Sequence, residues 1–183
     1  MKPPTTGDDY LETIVLGGGC FWCVEGAIKG LKGVAEVIPG YSGGHLENPT
    51  YEQVCGKRTG HAEVVKVTFD PSIISSVTLL EVFFTCHDPT QLNRQGNDIG
   101  PHYRSVIFYS SERQREDSES VIEEMGSLFD NEIVTEVSPL ENFYVAEIYH
   151  HDYFKNNPSN PYCMMVVAPK IAKTRAKHAH LYE

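Results

Sequence analysis

The stretch LETIVLGGGCFWC, residues 11–23, joins an apolar strand pattern to the start of a helix through three consecutive glycines. Residues 11–19 predict a strand that is broken by the glycines. Apolar residues then recur at helical spacing, at Val24, Ala27, Ile28 and Leu31. This spacing predicts an amphipathic helix over residues 23–32.

Strand and helix patterns continue to alternate beyond this stretch. Further strands are predicted for GVAEVIPGYSGG, HAEVVKVTFDP, YRSVIFYS and EIVTEVSPL. The buried helix LLEVFFTCHD follows a predicted capping box at Thr78 and Glu81, and a second helix opens at Ser111 and Gln114. Residues 46–60 are turn-rich, and the length of the polar loop HDPTQLNRQGNDIGPH indicates a functional role.

The order strand, helix, strand, strand, helix, strand is that of a split βαβ sandwich. We therefore predict an α+β fold, a two-layer sandwich with a ferredoxin-like split βαβ core. Its helices are expected on one side of a mixed sheet, with an irregular C-terminal tail from Tyr162. One catalytic domain is expected over residues 1–183, with its core at about residues 11–170 and the tail at about residues 155–183.

Composition restricts the function. The chain has 183 residues, of which 40% are hydrophobic, and a net charge of -10. This acidic balance argues against nucleic acid as a partner and favours a monomer, because like-charged copies repel one another. No apolar run approaches the roughly 20 residues of a membrane span. The N-terminal MKPPTTGDDYLE lacks the apolar core of a signal peptide, so we expect a cytoplasmic protein without membrane partners.

The cysteines predict thiol chemistry and not a disulfide framework. The chain has five, at Cys20, Cys23, Cys55, Cys86 and Cys163. Their number is odd and their spacing scattered, which in a cytoplasmic chain is a poor pattern for structural disulfides. Reactive, metal-bound and simply buried thiols are the remaining interpretations.

The glycines place Cys20 just ahead of the predicted helix and Cys23 in its first turn. Free backbone N–H groups and the helix dipole favour an anion at such a position, and a thiolate is an anion. We therefore expect a lowered pKa for the Cys20 thiol. The glycines are expected to expose its sulfur to solvent, since they place no side chain in the way.

Three other interpretations of C-x-x-C stay open at this point. The two cysteines could be buried and inert, or form a thioredoxin-type dithiol. They could also be half of a zinc site, although the chain has no second C-x-x-C and the adjacent His150 and His151 are poorly spaced for one metal. The bulky pair between the cysteines indicates that this loop also holds a ligand.

The motif GCFWC, together with GYSGGHLENPTYEQVCGKRTGHAEVV and FFTCHDPTQLNRQGNDIGPHYRSVIFY, resembles the A-type peptide methionine sulfoxide reductase family. The resemblance runs from about residue 14 to residue 170 and includes FYVAEIYHHDY and PYC. Several long motifs in one order are far more specific than one short pattern. The resemblance implies reduction of the S epimer of methionine sulfoxide, protein-bound or free, to methionine.

The resemblance assigns the catalytic roles. Cys20 matches the nucleophile, and Glu63 matches an acid that burial would keep protonated. Tyr51 and Tyr103 match two hydroxyls that hold the sulfoxide oxygen, and Asp98 matches a polar residue of the pocket. Without the resemblance, Glu63 could equally be an exposed strand residue, the tyrosines packing residues and Asp98 an Asx turn.

The same resemblance assigns substrate contacts, resolution and recycling. Phe21 and Trp22 match the apolar wall that receives the S-methyl group. Reduction leaves a sulfenic acid on Cys20, which a second thiol converts to a disulfide. We favour Cys23 as the first resolving cysteine, with Cys163 as its rival and as a second relay to the surface. Thioredoxin is the implied reductant, and neither a metal nor a bound organic cofactor is expected.

The chain departs from the family pattern at three positions. Pro101 and His102 stand where a small polar residue and Gln are expected, and His151 stands where Gln is common. These changes are expected to alter the rim of the pocket or the contact with the substrate backbone, and to leave the catalytic positions intact. Two functions of other classes are alternatives to the reductase. One is a general dithiol–disulfide carrier using Cys20 and Cys23, and the other is a non-enzymatic metal-binding or oxidant-sensing domain.

Overall fold

A computed structural model describes residues 11–183. The interpretation of the N-terminal MKPPTTGDDYLE as lacking a signal peptide therefore concerns residues almost all outside the described part. None of the helices in residues 11–183 combines the length and the apolar character that a bilayer crossing requires.

The predicted strands and helices occur in the predicted order. The structure adds a helix at Tyr51–Cys55, within the turn-rich segment, and short strands at Arg94–Gln95, Asp98–Ile99 and Tyr144–Val145. The strands are β1 (Glu12–Gly17), β2 (Val34–Ser42), β3 (Ala62–Phe69), β4 (Arg94–Gln95), β5 (Asp98–Ile99), β6 (Val106–Tyr109), β7 (Glu136–Pro139) and β8 (Tyr144–Val145). The α-helices are α1 (Phe21–Ile28), α2 (Tyr51–Cys55), α3 (Ser76–Thr85), α4 (Glu112–Met125), α5 (Tyr153–Asn156) and α6 (Ala168–Lys177). A π-helical turn, Cys163–Val167, leads directly into α6, and a 3₁₀ turn, Pro101–Tyr103, precedes β6.

The main sheet has the order β7-β6-β1-β3-β2-β8. The four central strands, β6-β1-β3-β2, pair with one another in antiparallel fashion. The edge strand β7 pairs with β6 in parallel. In order of occurrence the central strands read fourth, first, third, second, which is the arrangement of a ferredoxin-like split βαβ unit. The predicted α+β class with a mixed sheet is therefore confirmed.

Alternation along the strands builds the two faces of the sheet. Ile14 and Leu16 of β1 belong to the main core, which includes the buried faces of α1 and α3. Val15, between them, belongs to a smaller cluster on the other side, against which Leu140 and Phe143 pack. Because side chains on a strand alternate between faces, a short run such as this one is buried on both sides.

The predicted start of α3 is wrong by one turn. The helix begins at Ser76, and the Ser75 hydroxyl accepts a hydrogen bond from the Thr78 amide at 3.1 Å. Thr78 therefore occupies the third helical position and not the cap, and the predicted box with Glu81 does not form there. Both Ser75 and Thr78 have the chemistry of a cap, so the sequence pattern alone does not separate them.

The predicted irregular tail is also wrong, because residues 163–177 are helical. Ile171 and Thr174 of α6 are buried, and a Cβ at Gly26 would lie 2.2 Å from the Ile171 Cδ1. The Tyr182 hydroxyl donates to the Ala27 carbonyl of α1. A short helix with few apolar positions depends on such tertiary contacts, which a pattern search cannot see.

Candidate active site

The three glycines between β1 and α1 allow neighbouring residues to approach the backbone closely. A Cβ at Gly18 would lie 2.8 Å from the His87 Cγ, and one at Gly19 would lie 2.8 Å from the Gln95 Cβ. Gly19 also has φ of +87°, a value that favours glycine. Cys20 itself is only 7% exposed. The expectation that the glycines expose its sulfur to solvent is therefore wrong, and the sulfur faces a pocket instead.

This pocket has a volume of about 300 Å³. It brings together side chains from the starts of α1 and α2, from β3 and β5, from the 3₁₀ turn before β6, and from the segment that precedes the π-helical turn. The lining residues are Cys20, Trp22, Tyr51, Glu63, Asp98, Tyr103, Asn160 and Tyr162. Of the nine residues proposed for the site from the sequence, six therefore meet in one pocket.

Glu63 supplies a buried carboxyl group on β3 that is 2% exposed. Its Oε1 accepts a hydrogen bond of 3.3 Å from the Phe21 amide, at the N-terminus of α1. Its Oε2 has no hydrogen-bond partner among residues 11–183. Burial raises the pKa of Glu63 to about 8, more than the Phe21 amide lowers it. The side chain is therefore a carboxylic acid at neutral pH, able to donate a proton into the pocket.

The expectation of a lowered pKa for Cys20 is wrong. Burial raises the pKa of its thiol well above the ordinary value, and a hydrogen bond to Cys23 and the charge of Glu63 raise it further. The Trp22 amide at the helix start does lower it, but by less. A helix N-terminus favours the thiolate, yet desolvation of a fully buried sulfur outweighs that effect here.

Cys23 and Cys163 are both buried, at 1% and 0% exposure. Cys23 is hydrogen-bonded to Cys20 through their sulfurs, and its charge also acts on Cys163, whose pKa is raised mainly by burial. Cys163 therefore lies in the same core cluster as the other two thiols, within the π-helical turn. The sequence placed it in an irregular tail, and that placement is wrong.

Tyr51 and Tyr103 both line the pocket as half-buried side chains. Tyr51 is held at the start of α2, where a capping box between Thr50 and Gln53 fixes the turn and the Tyr51 amide donates to the Glu147 Oε2 at 3.1 Å. Burial raises the pKa of both tyrosines. Their hydroxyls therefore remain protonated hydrogen-bond donors at physiological pH.

Asp98 is positioned by Tyr162, a residue that the sequence analysis did not select. The Tyr162 hydroxyl donates to the Asp98 Oδ2. Asn160, also unselected, lines the pocket and its Oδ1 accepts from the Tyr162 amide at 2.9 Å. The motif PYC contains Tyr162, so a signal was present, but ten tyrosines in the chain gave no reason to single it out.

The two residues between the cysteines take different positions. Trp22 lines the pocket, donates from Nε1 to the His150 Nδ1 at 3.1 Å and stacks on Tyr153 with ring centroids 3.7 Å apart. Phe21 is 1% exposed and packs behind the site against Tyr41 and His150, at 5.8 and 5.0 Å. Trp22 alone therefore offers an apolar surface to the pocket, and Phe21 supports it from the core.

The three residues that depart from the family pattern lie at different places relative to the pocket. His102 is 3% exposed and its ring contacts that of Tyr103 in a tilted arrangement, with centroids 3.9 Å apart, so it lies behind the pocket and not at its rim. The His151 Nε2 is 2.9 Å from the Ala146 carbonyl oxygen, a contact outside the pocket lining. Pro101 opens the 3₁₀ turn that presents Tyr103.

This fold and this pocket define a cysteine-dependent oxidoreductase with an α+β ferredoxin-like core, in which a thiol, a buried acid and two tyrosine hydroxyls converge. The family model for peptide methionine sulfoxide reductase matches residues 12–182. The chain belongs to this family, whose members reduce methionine sulfoxide.

Two relatives show how extensive the similarity is. The chain is 56% identical over 163 residues to the peptide methionine sulfoxide reductase MsrA of Saccharolobus solfataricus, covering 89% of this chain and 92% of the relative. The crystal structure of reduced Mxr1 from Saccharomyces cerevisiae superimposes with a TM-score of 0.81 at 34% identity, covering 85% of this chain and 90% of Mxr1. A structure of Mxr1 in complex with Trx2 superimposes with a TM-score of 0.58 at 24% identity, over 83% of this chain and 91% of Mxr1.

Tyr162→Phe is expected to lower kcat/KM for methionine sulfoxide about tenfold, because Asp98 loses its donor inside the pocket. The ring and its edge contact with Trp22 remain, so the thermal unfolding midpoint should change little. Steady-state kinetics and a melting curve test this, with Tyr109→Phe on β6 as the matched control. An unchanged kcat/KM in Tyr162→Phe contradicts a role for the Tyr162–Asp98 pair.

Proposed function

We propose that this chain reduces the S epimer of methionine sulfoxide, in proteins and as the free amino acid, with Cys20 as nucleophile and Glu63 as general acid. The observation that carries the proposal is the convergence of a thiol and a buried, protonated carboxyl group on one pocket. A carboxyl group kept neutral by burial is the form that can donate a proton at neutral pH.

The pocket supports one orientation of the substrate side chain. The Glu63 acid and the Tyr51 and Tyr103 hydroxyls offer three donors to the sulfoxide oxygen as it gains negative charge. Trp22 offers the apolar surface for the S-methyl group, and the buried Phe21 packs against His150, to which Trp22 is hydrogen-bonded. The sulfoxide sulfur is a pyramidal stereocentre with three different substituents. If the pocket fixes the oxygen and the methyl group, only one epimer can point its third substituent out of the pocket while Cys20 reaches the sulfur.

The chemistry balances without an external proton. The Cys20 sulfur attacks the substrate sulfur and loses its proton, while Glu63 donates a proton to the oxygen. The oxygen is then transferred to Cys20, which becomes a sulfenic acid, and the substrate leaves as methionine. One thiol and one sulfoxide give one sulfenic acid and one thioether, so the enzyme sulfur is oxidised by two electrons and Glu63 recovers its proton.

Cys23 is the proposed first resolving cysteine. Its thiol, which is hydrogen-bonded to Cys20, attacks the sulfenic sulfur and displaces water to form a Cys20–Cys23 disulfide. Cys163 can then exchange with this disulfide, since Cys23 is the thiol whose charge acts on it. The neighbouring Met164 and Met165 are 59% and 79% exposed, so this relay leads toward the surface.

Thioredoxin is the proposed reductant that returns the disulfide to two thiols. The structure of Mxr1 with Trx2 supports this choice for a protein of the same fold. The roles of the individual residues, the monomeric state, the single domain over residues 1–183 and the cytoplasmic location stay predictions from the sequence.

Assay of the two purified sulfoxide epimers tests the proposed function. With dithiothreitol as reductant, we expect turnover of the S epimer and no measurable turnover of the R epimer, followed by chromatography of the methionine formed. A general dithiol carrier would instead reduce insulin disulfides and leave both epimers unchanged. Equal turnover of the two epimers would contradict the proposed orientation of the substrate in the pocket. Reduction of insulin disulfides without turnover of either epimer would contradict the proposed function and support the dithiol carrier.

A further inference from the structure

A second group of chemically reactive side chains includes the proposed acid and two residues that take no part in the proposed reaction. It consists of Cys55 at the end of α2, Glu63 on β3 and His102 in the 3₁₀ turn before β6. One potential ligand atom from each residue, a sulfur, a carboxylate oxygen and an imidazole nitrogen, lies within 4.8 Å of the other two. Three separate segments of the chain therefore bring thiol, carboxyl and imidazole to one point.

Two of these three side chains carry a buried polar atom without a partner. The Glu63 Oε2 and the His102 Nδ1 accept or donate no hydrogen bond within residues 11–183. Both residues are almost fully buried, at 2% and 3% exposure. Buried polar atoms are nearly always paired in proteins, so two unpaired ones in the same cluster indicate space for a ligand that binds both.

We propose that Cys55, Glu63 and His102 form an inhibitory site for a divalent transition metal, with Zn²⁺ as the ion that best fits the ligand set. Zinc binds thiolate sulfur, imidazole nitrogen and carboxylate oxygen at about 2.0–2.3 Å, with tetrahedral geometry. Three protein ligands leave a fourth position for water. Ligand atoms bound at these distances around one tetrahedral ion lie about 3.3–3.8 Å apart, so separations of up to 4.8 Å must shorten on binding.

The charges near the cluster also favour a cation. Cys55 and Glu63 become anionic when they bind a metal, and Asp98 adds a third negative group close to both Glu63 and His102. Lys57 is the opposing positive charge near His102, and its side chain is exposed to solvent. Lys57 acts on His102 more strongly than Asp98 does, so the attraction for a cation comes chiefly from the two anionic ligands, Cys55 and Glu63.

Metal binding at this site would switch off the reductase reaction reversibly. A Glu63 carboxylate that coordinates zinc holds no proton to donate to the sulfoxide oxygen. The Tyr51 hydroxyl, which is hydrogen-bonded to the Cys55 sulfur, would lose that partner as well. The inhibition, but not the binding, rests on the proposed function of Glu63.

Binding is tested with Co²⁺ on the full chain in which Cys20→Ser and Cys23→Ser remove the other pair of reactive thiols. We expect thiolate-to-cobalt charge-transfer absorption and tetrahedral ligand-field bands that saturate at one equivalent. Cys55→Ser should abolish the charge-transfer band, and His102→Gln should weaken binding at least tenfold. The matched controls are Cys86→Ser, a buried thiol outside the cluster, and His45→Gln, an exposed histidine.

Inhibition is tested in the enzyme with Cys20 and Cys23 intact. Zn²⁺ should inhibit sulfoxide reduction and a chelator should restore it, whereas Cys55→Ser and His102→Gln should require at least tenfold more Zn²⁺. Cobalt binding that survives both substitutions, or zinc inhibition unchanged in both, overturns the proposal and places the metal on other thiols. Binding at the cluster without inhibition instead contradicts the role of Glu63 and leaves the metal site standing.

Discussion

Glu63→Gln is expected to slow the first sulfoxide turnover by about 10²–10⁴-fold, the usual contribution of a positioned general acid. The amide has almost the same shape and can still accept the hydrogen bond that the Phe21 amide donates to Oε1. It cannot transfer a proton to the sulfoxide oxygen. Single-turnover mixing with the S epimer, followed by quantification of methionine, measures this step without interference from recycling.

Glu36→Gln is the matched control for this substitution. Glu36 lies on β2 and is exposed, so the same change there should leave the rate within twofold of the parent.

The burial of Glu63 also predicts that Glu63→Gln has opposite effects on activity and on stability. Because burial raises the pKa of Glu63, folding at neutral pH works against ionisation of the carboxyl group, and Glu63→Gln should raise the thermal unfolding midpoint.

The pH dependence of the first turnover gives a second test of the same residue. The pKa of Glu63 is about 8, so the acid is protonated below that pH and loses its proton as the pH rises through it. The single-turnover rate should therefore fall above about pH 8 in the parent, and this limb should be absent from Glu63→Gln. The same decline in both proteins would assign the limb to another group and sink the proposed role of Glu63.

The sheet could be predicted from the sequence because strand patterns are local. Alternation along residues 62–69 and the glycine-terminated apolar run before Cys20 both specify strands, and the order of elements then specifies the split βαβ topology. The C-terminal helix could not be predicted in this way. Its buried positions, Ile171 and Thr174, are too few for a periodic signal, and they are defined only by packing against α1.

In the candidate site, too, local motifs could be read from the sequence, whereas properties that depend on tertiary contacts could not. Family motifs point to Cys20, Glu63 and Tyr51 as residue types at matched positions, and the structure brings these three together in one pocket. The electrostatic state of Cys20 could not be inferred, because burial competes with the helix N-terminus and only the tertiary structure shows how deeply the sulfur lies. The contribution of Tyr162 was missed for a related reason, since its partner Asp98 is distant along the chain.

The raised pKa of Cys20 bears on how the nucleophile is activated. A buried thiol is inert by itself, but the hydrogen bond to Cys23 and the nearby Glu63 place it beside two titratable groups. In the proposed mechanism, proton donation to the sulfoxide oxygen leaves a Glu63 carboxylate beside Cys20. That carboxylate accepts the Cys20 proton as the sulfur attacks, so the site does not hold two negative charges at once. The acid therefore activates both reactants, which is why its substitution is expected to cost so much.

Substitution of the cysteines one at a time is expected to separate three steps of the cycle. Cys20→Ser should abolish all sulfoxide reduction, since no other thiol lines the pocket within the described residues. Cys23→Ser should form one methionine per enzyme and then stop when thioredoxin is the reductant. Cys163→Ser should complete the first disulfide and then recycle slowly, because the Cys20–Cys23 bond it leaves is buried.

Cys86→Ser is the control, since Cys86 is a buried thiol whose Sγ is hydrogen-bonded to the Phe83 carbonyl and that has no assigned role. Mass spectrometry of each oxidised variant, combined with thioredoxin-coupled kinetics, gives both the disulfide formed and the step that is lost. If thioredoxin recycles Cys23→Ser at the parental rate while Cys163→Ser stalls, Cys163 resolves the sulfenic acid directly. Such direct attack would have to come from within the π-helical turn, where the Cys163 side chain lies fully buried.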